Sequence, residues 1–175
     1  MPTRVVVTGV DASGTSRVRR DGPVAAEVVL GTLDGMRFAV PWELPLPAGP
    51  GDGDEPVSAV GTFVPPAGSL RFVAVEVPPA REDVVPDPAA VVAEVGAQLP
   101  GLLEAAVPDA GPGMHRTRTV DLLTVVRGRV LLLLDDGTET ELGPGDCVVR
   151  QGSVHAWRAC SDEPCLLAGI MVSTG

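Results

Sequence analysis

The sequence predicts an all-β protein, a sandwich or barrel of short strands, and three observations carry that reading. From residue 117 to the end, apolar segments of strand length alternate with turn signals at Arg127-Gly128, Asp136-Gly137, Gly143-Pro144-Gly145, Gly152 and Asp162-Glu163-Pro164. Residues 24–64 repeat the pattern with Gly/Pro punctuation. Only residues 87–106 offer a helical stripe.

The elements follow in chain order. RVVVTGV, residues 4–10, is a strand entering a hairpin turn; Gly9 and Gly14 lack the helix that must follow a dinucleotide-binding turn. VAAEVVLG and MRFAVPWEL read as strands and residues 44–56 as a Pro-rich, acidic loop. SAVGTFV and LRFVAVEV read as two more strands around a PPAG turn. Asp87 is a suitable N-cap with Pro88 at the first helical position. Val91, Val92, Val95 and Leu99 form one apolar stripe, which Pro100-Gly101 ends. TRTVDLLTVVR, RVLLLLDDG, TETEL, GDCVVRQ, VHAWRAC and CLLAGIMV complete the β pattern. RVLLLLD is apolar at both parities, so both of its faces are expected to be covered. One domain is expected over residues 1–175, with N-terminal strands over 1–86, a helical connection over 87–110 and the barrel over 111–173.

Composition narrows the chemistry. A formal net charge of -10 argues against nucleic acid and anionic membrane surfaces as partners. The opening MPTRVVVTGV has no signal-peptide core, so a cytoplasmic protein is expected. The sequence contains no Lys, Tyr or Asn. A Schiff-base lysine, a P-loop lysine and a tyrosine general acid are therefore excluded. What remains is His115, His155, carboxylates, thiols and arginines. Cys147, Cys160 and Cys165 form no Cys-x-x-Cys pair and are expected to be reduced, mostly buried small hydrophobes.

Strand alternation puts His115, Thr117, Thr119, Asp121 and Leu123 on one face, with Arg116 and Arg118 opposite. His155 and Trp157 share a face on a later strand. Two imidazoles and one carboxylate aimed inward could form a 2-His-1-carboxylate metal site with open positions. The alternative is two unrelated histidines, hydrogen-bonded and inert.

The stretch GPGDCVVRQGSVHAWR resembles the second motif of the cupin superfamily, with one residue fewer in the loop. His115, Thr117, Asp121 and Gly128 fall at the spacings of the first cupin motif. The opening VVTG-x-D-x-x-G, the mid-chain FVPPAGSLRF and PGMHRT-x-T-x-D together resemble small single-domain cupins, some of them from natural-product pathways. The resemblance implies a jelly-roll barrel. It implies a divalent metal (Fe, Zn, Mn or Ni) on His115, Asp121 and His155, which would also be the catalytic residues. Thr117 and Trp157 would line the substrate pocket. The implied reaction is oxygenation, decarboxylation, isomerisation or dehydration of an enolisable or phenolic metabolite; a metal-free binder is the alternative. A homodimer is implied, with residues 130–134 and the N-terminal strands as expected surfaces. The chain departs from the pattern where Thr117 replaces a ligand histidine, Asp121 a glutamate, Arg150 a proline, Ala159 an asparagine and Asp109 a glycine. Arg150 is expected in a turn.

Overall fold

Alternating apolar strands too short to bury a core singly must stack into facing sheets. The computed structural model describes residues 2–50, 57–79 and 86–173 and shows that outcome. Strands β1 (Arg4–Val10) and β2 (Ser16–Pro23) form a hairpin. Its turn is held by Asp11, whose carboxylate accepts from the Ser13 and Thr15 amides at 2.9 and 3.0 Å. Next come β3 (Glu27–Leu30), β4 (Met36–Pro45) and β5 (Ser69–Val77), then helices α1 (Pro88–Gln98) and α2 (Leu102–Ala105). The remaining strands are β6 (Val120–Arg127), β7 (Val130–Leu134), β8 (Glu139–Leu142), β9 (Cys147–Gln151), β10 (His155–Ala159) and β11 (Cys165–Ser173).

One sheet runs β3-β4-β5-β11-β6-β9 and the other β10-β7-β8, all antiparallel. This is the expected jelly-roll barrel, with the hairpin added outside. Between the sheets lie Phe38, Val40, Val73, Leu123 and Met171, with Trp157 packed against them. Gly128 ends the first motif at φ 72°, in the β6–β7 turn, and a Cβ there would sit 2.7 Å from the Pro164 carbonyl oxygen. Only glycine meets both demands.

Helix α1 begins as predicted, with the Asp87 side chain accepting from the Ala89 amide at 3.0 Å. Glu94 ties it to the barrel by accepting from the Gly31 and Thr32 amides at 2.9 and 2.8 Å. The stripe is narrower than expected. Val95 and Leu99 are buried and Val91 half-buried, but Val92 is 55% exposed, one helical step off the inward arc.

Four further expectations need correction. SAVGTFV forms no strand, because β4 and β5 pair directly from Arg37↔Glu76 to Pro45↔Ser69 and leave no ladder edge between them. Instead Val57, Val60, Phe63 and Val64 fill the barrel from a loop. Strand β4 extends to Pro45, inside the predicted 44–56 loop, whose residues 51–56 lie outside the described set. Strand β7 is covered less fully than expected, since only Val130 is buried and Leu131–Leu134 are half-buried at both parities. Cys165 is buried, but Cys147 and Cys160 are exposed at turn-proximal positions, and all three are free thiols.

Candidate functional site

The segment before β6 meets the start of β10 in an isolated antiparallel bridge between His115 and His155. Each residue's amide donates to the other's carbonyl, at 2.9 and 3.0 Å. Residues directly opposite in such a bridge project to the same side. The two imidazole centroids therefore lie 4.3 Å apart. The Phe63 ring stands edge-on to His115 at 5.6 Å, and Trp157 edge-on to His155 at 5.7 Å. His155 is buried and His115 half-buried.

Backbone contacts fix the tautomers. His115 Nδ1 lies 3.0 Å from the Gly113 carbonyl and His155 Nδ1 lies 3.2 Å from that of Ser153. Carbonyl oxygens only accept, so each Nδ1 carries hydrogen and each Nε2 keeps its lone pair. Burial pushes His155 down to about 3, helped by the neighbouring His115 ring and the Arg150 charge. Burial also lowers His115, opposed by its Gly113 bond, with Arg150 a further lowering influence. Both rings are neutral bases at pH 7.

The inner face of the large sheet carries a transverse row set by strand register: Glu43↔Arg71, Arg71↔Met171, Met171↔Asp121, Asp121↔Arg150. Both arginines in this row are buried, each against its carboxylate. Arg150 Nε donates to Asp121 Oδ2 at 2.8 Å, and Nη2 donates to Thr119 Oγ1 at 2.8 Å. Nη2 also contacts Thr117 Oγ1 and Asp121 Oδ2. Two polar atoms of this cluster, Asp121 Oδ1 and Arg150 Nη1, are buried with no hydrogen-bond partner.

The sequence therefore brought His115, His155 and Trp157 together correctly, and placed Thr117, Thr119 and Asp121 on one buried face. It missed Phe63 and misplaced Arg150, which lies within β9 rather than in a turn. Alternation along β9 carried the signal, because Val148 and Arg150 share a face and Arg150 is the register partner of Asp121.

This arrangement does not fit the expected metal on His115, Asp121 and His155. Asp121 is engaged by a guanidinium, whose positive charge also lowers both imidazoles. Among the described residues no group of three His, Cys, Asp or Glu side chains is placed to hold a metal ion. Thr117, at the position of the missing ligand histidine, instead receives an Arg150 hydrogen bond. What the site offers chemically is a pair of neutral bases beside a charge-balanced donor–acceptor pair.

No family model matches the chain. A cupin-domain-containing oxidoreductase, srdB, from Neurospora crassa is 41% identical over 59 residues, covering 31% of this chain and 30% of that protein. Phomopsin biosynthesis cluster protein C' from Diaporthe leptostromiformis is 39% identical over 67 residues, covering 36% of this chain and 35% of that protein. The matches thus span about a third of the length of these curated relatives. Among solved structures, the Schizosaccharomyces pombe Cnp3 cupin domain aligns with 99% of this chain and 89% of its own, at 9% identity and a TM-score of 0.47.

Proposed function

We propose that this chain, a cupin barrel by motif and fold, is a small-molecule enzyme that moves protons without a metal. The substrate is an enolisable metabolite, and the reaction is isomerisation or dehydration rather than oxygenation. The observation that carries this is the pair of imidazoles 4.3 Å apart, both with Nε2 unprotonated, while Asp121 is held by Arg150. A neutral imidazole can act as a general base, with a rate gain that grows as its pKa approaches the working pH. One Nε2 takes a proton from carbon, and the imidazolium so formed returns it to the substrate. The similarity to phomopsin cluster proteins supports a place in natural-product biosynthesis.

The test is exchange of carbon-bound hydrogen. Chelator-treated protein is incubated in D₂O with a panel of enolisable ketones and followed by proton NMR. The expected result is exchange α to the carbonyl, lost in His155→Ala and undiminished by chelator. Exchange that requires added metal, or that survives both His115→Ala and His155→Ala, would refute the reading. A second reading, a non-catalytic binder, is favoured by the deep burial of His155. It predicts binding without exchange.

A further inference from the structure

We propose that the site recognises an uncharged hydroxy-carbonyl compound, its carbonyl oxygen accepting from Arg150 Nη1 and its hydroxyl donating to Asp121 Oδ1. The inference names the substrate class for the same pocket and rests on that pocket being the reactive one. Arg150 is 2% exposed and Asp121 4% exposed, yet one donor atom of the first and one acceptor atom of the second have no partner. Leaving such groups unsatisfied costs roughly 1–3 kcal/mol each, more when charged. A ligand that offers an acceptor to the first atom and a donor to the second relieves both at once.

Charge decides which ligand. The Arg150 cation is balanced by the Asp121 anion, and both imidazoles are neutral, so the buried cluster sums to zero. A carboxylate would enter as an uncompensated buried charge, a costly arrangement. A neutral ketol adds none. The reaction also keeps the sum at zero. The C–H bond next to the carbonyl breaks and its proton passes to a histidine Nε2. The electron pair moves onto the carbonyl oxygen, where Arg150 Nη1 donates to it. The resulting enolate and imidazolium cancel. The hydroxyl proton passes to the adjacent enolate oxygen, and return of the first proton to the former carbonyl carbon gives the isomer, with no oxidant or reductant consumed.

Phe63 and Trp157 wall the rings, so aromatic probes suit the site. Calorimetric titration of the whole chain with 2-hydroxyacetophenone and with mandelate compares a ketol with a carboxylate of similar shape. The wild type is expected to bind the ketol at least about tenfold tighter than mandelate, and tighter than acetophenone, which lacks the hydroxyl. Asp121→Asn leaves the cluster with one net positive charge and is expected to move the ratio at least about tenfold toward mandelate. Equal or tighter mandelate binding by the wild type overturns the proposal. So does a ratio unmoved in folded Asp121→Asn, or failure of both probes to bind, as expected were water alone to satisfy the two atoms. Should Asp121→Asn not fold, as judged by circular dichroism, the three wild-type affinities decide. Ketol binding of this pattern without hydrogen exchange would sink the proton-transfer reading and leave this one standing.

Discussion

At the residue scale, Arg150 and Asp121 must be considered as a unit. A buried ion pair contributes little net stability, but losing one member strands the other. Arg150→Met is therefore expected to cost about 3–5 kcal/mol, while Arg150→Met with Asp121→Leu recovers most of that loss, measured by urea denaturation. Recovery of none of it would mean that Arg150 acts through packing instead. His155 gives a second prediction. Its folded pKa, about 3, lies below the ordinary histidine value of 6.5. Below pH 6.5 the unfolded chain gains a proton that the folded chain refuses, so stability falls as pH falls. The contribution is complete above about pH 6.5 and is lost progressively toward pH 3. The groups acting on the ring are His115, Arg150 and Trp157; of these His115, itself lowered, adds to the same slope. His155→Gln is expected to flatten the urea-midpoint profile between pH 7 and pH 4. An unchanged slope would place the acid sensitivity in carboxylates elsewhere.

At the element scale, what was legible in the sequence was local. Turn chemistry located the strands, and the Asp87-Pro88 cap located α1 to the residue. The exception is the pair of histidines, 40 residues apart, which the cupin-like spacing of the two motifs, rather than local turn or strand chemistry, placed on facing backbone. Two things were not legible, and both depend on partners distant in sequence. The interior role of residues 57–64 follows from β4 and β5 having paired with each other, which alternation within SAVGTFV cannot reveal. The partner of Asp121 follows from the β6–β9 register, 29 residues apart, and that register decides between a metal ligand and an ion pair. The loop over the site is anchored by Phe63, whose amide donates to the Pro100 carbonyl at 2.6 Å and whose carbonyl accepts from Arg71 at 3.1 Å. Its ring contacts Phe38 at 5.3 Å as well as His115. Phe63→Ala is expected to cost about 3–5 kcal/mol by urea denaturation. It should also open the imidazoles, so that diethyl pyrocarbonate modifies His115 several-fold faster. An unchanged modification rate would show that Phe63 does not restrict access.

At the scale of the whole molecule, the question is where a chain of net charge -10 tolerates a second copy of itself. The sequence pointed to residues 130–134 and the N-terminal strands, but β7 is half-buried and the β1–β2 hairpin carries a dense set of charged side chains. The outer face of the large sheet differs. Register places Phe72, Ile170, Leu122 and Val149 in one row, with Leu70, Val172 and Val120 in the next. Phe72, Leu122 and Val149 are 41%, 46% and 61% exposed. None of these seven side chains is charged, so here the general like-charge repulsion between copies is weakest. Four strands spaced ~4.8 Å apart and two side-chain rows along them give a face of roughly 20 by 14 Å, about 280 Å², well short of the roughly 800 Å² per partner of a stable interface. Reversible, concentration-dependent dimerisation is therefore the expected behaviour in sedimentation velocity, strengthened by salt that screens the net charge. Leu122→Glu is expected to abolish it without lowering stability, because that side chain is already half in water. Val18→Glu on β2, exposed but outside this face, should leave it intact. Dimerisation abolished by Val18→Glu and retained in Leu122→Glu would move the contact to the hairpin.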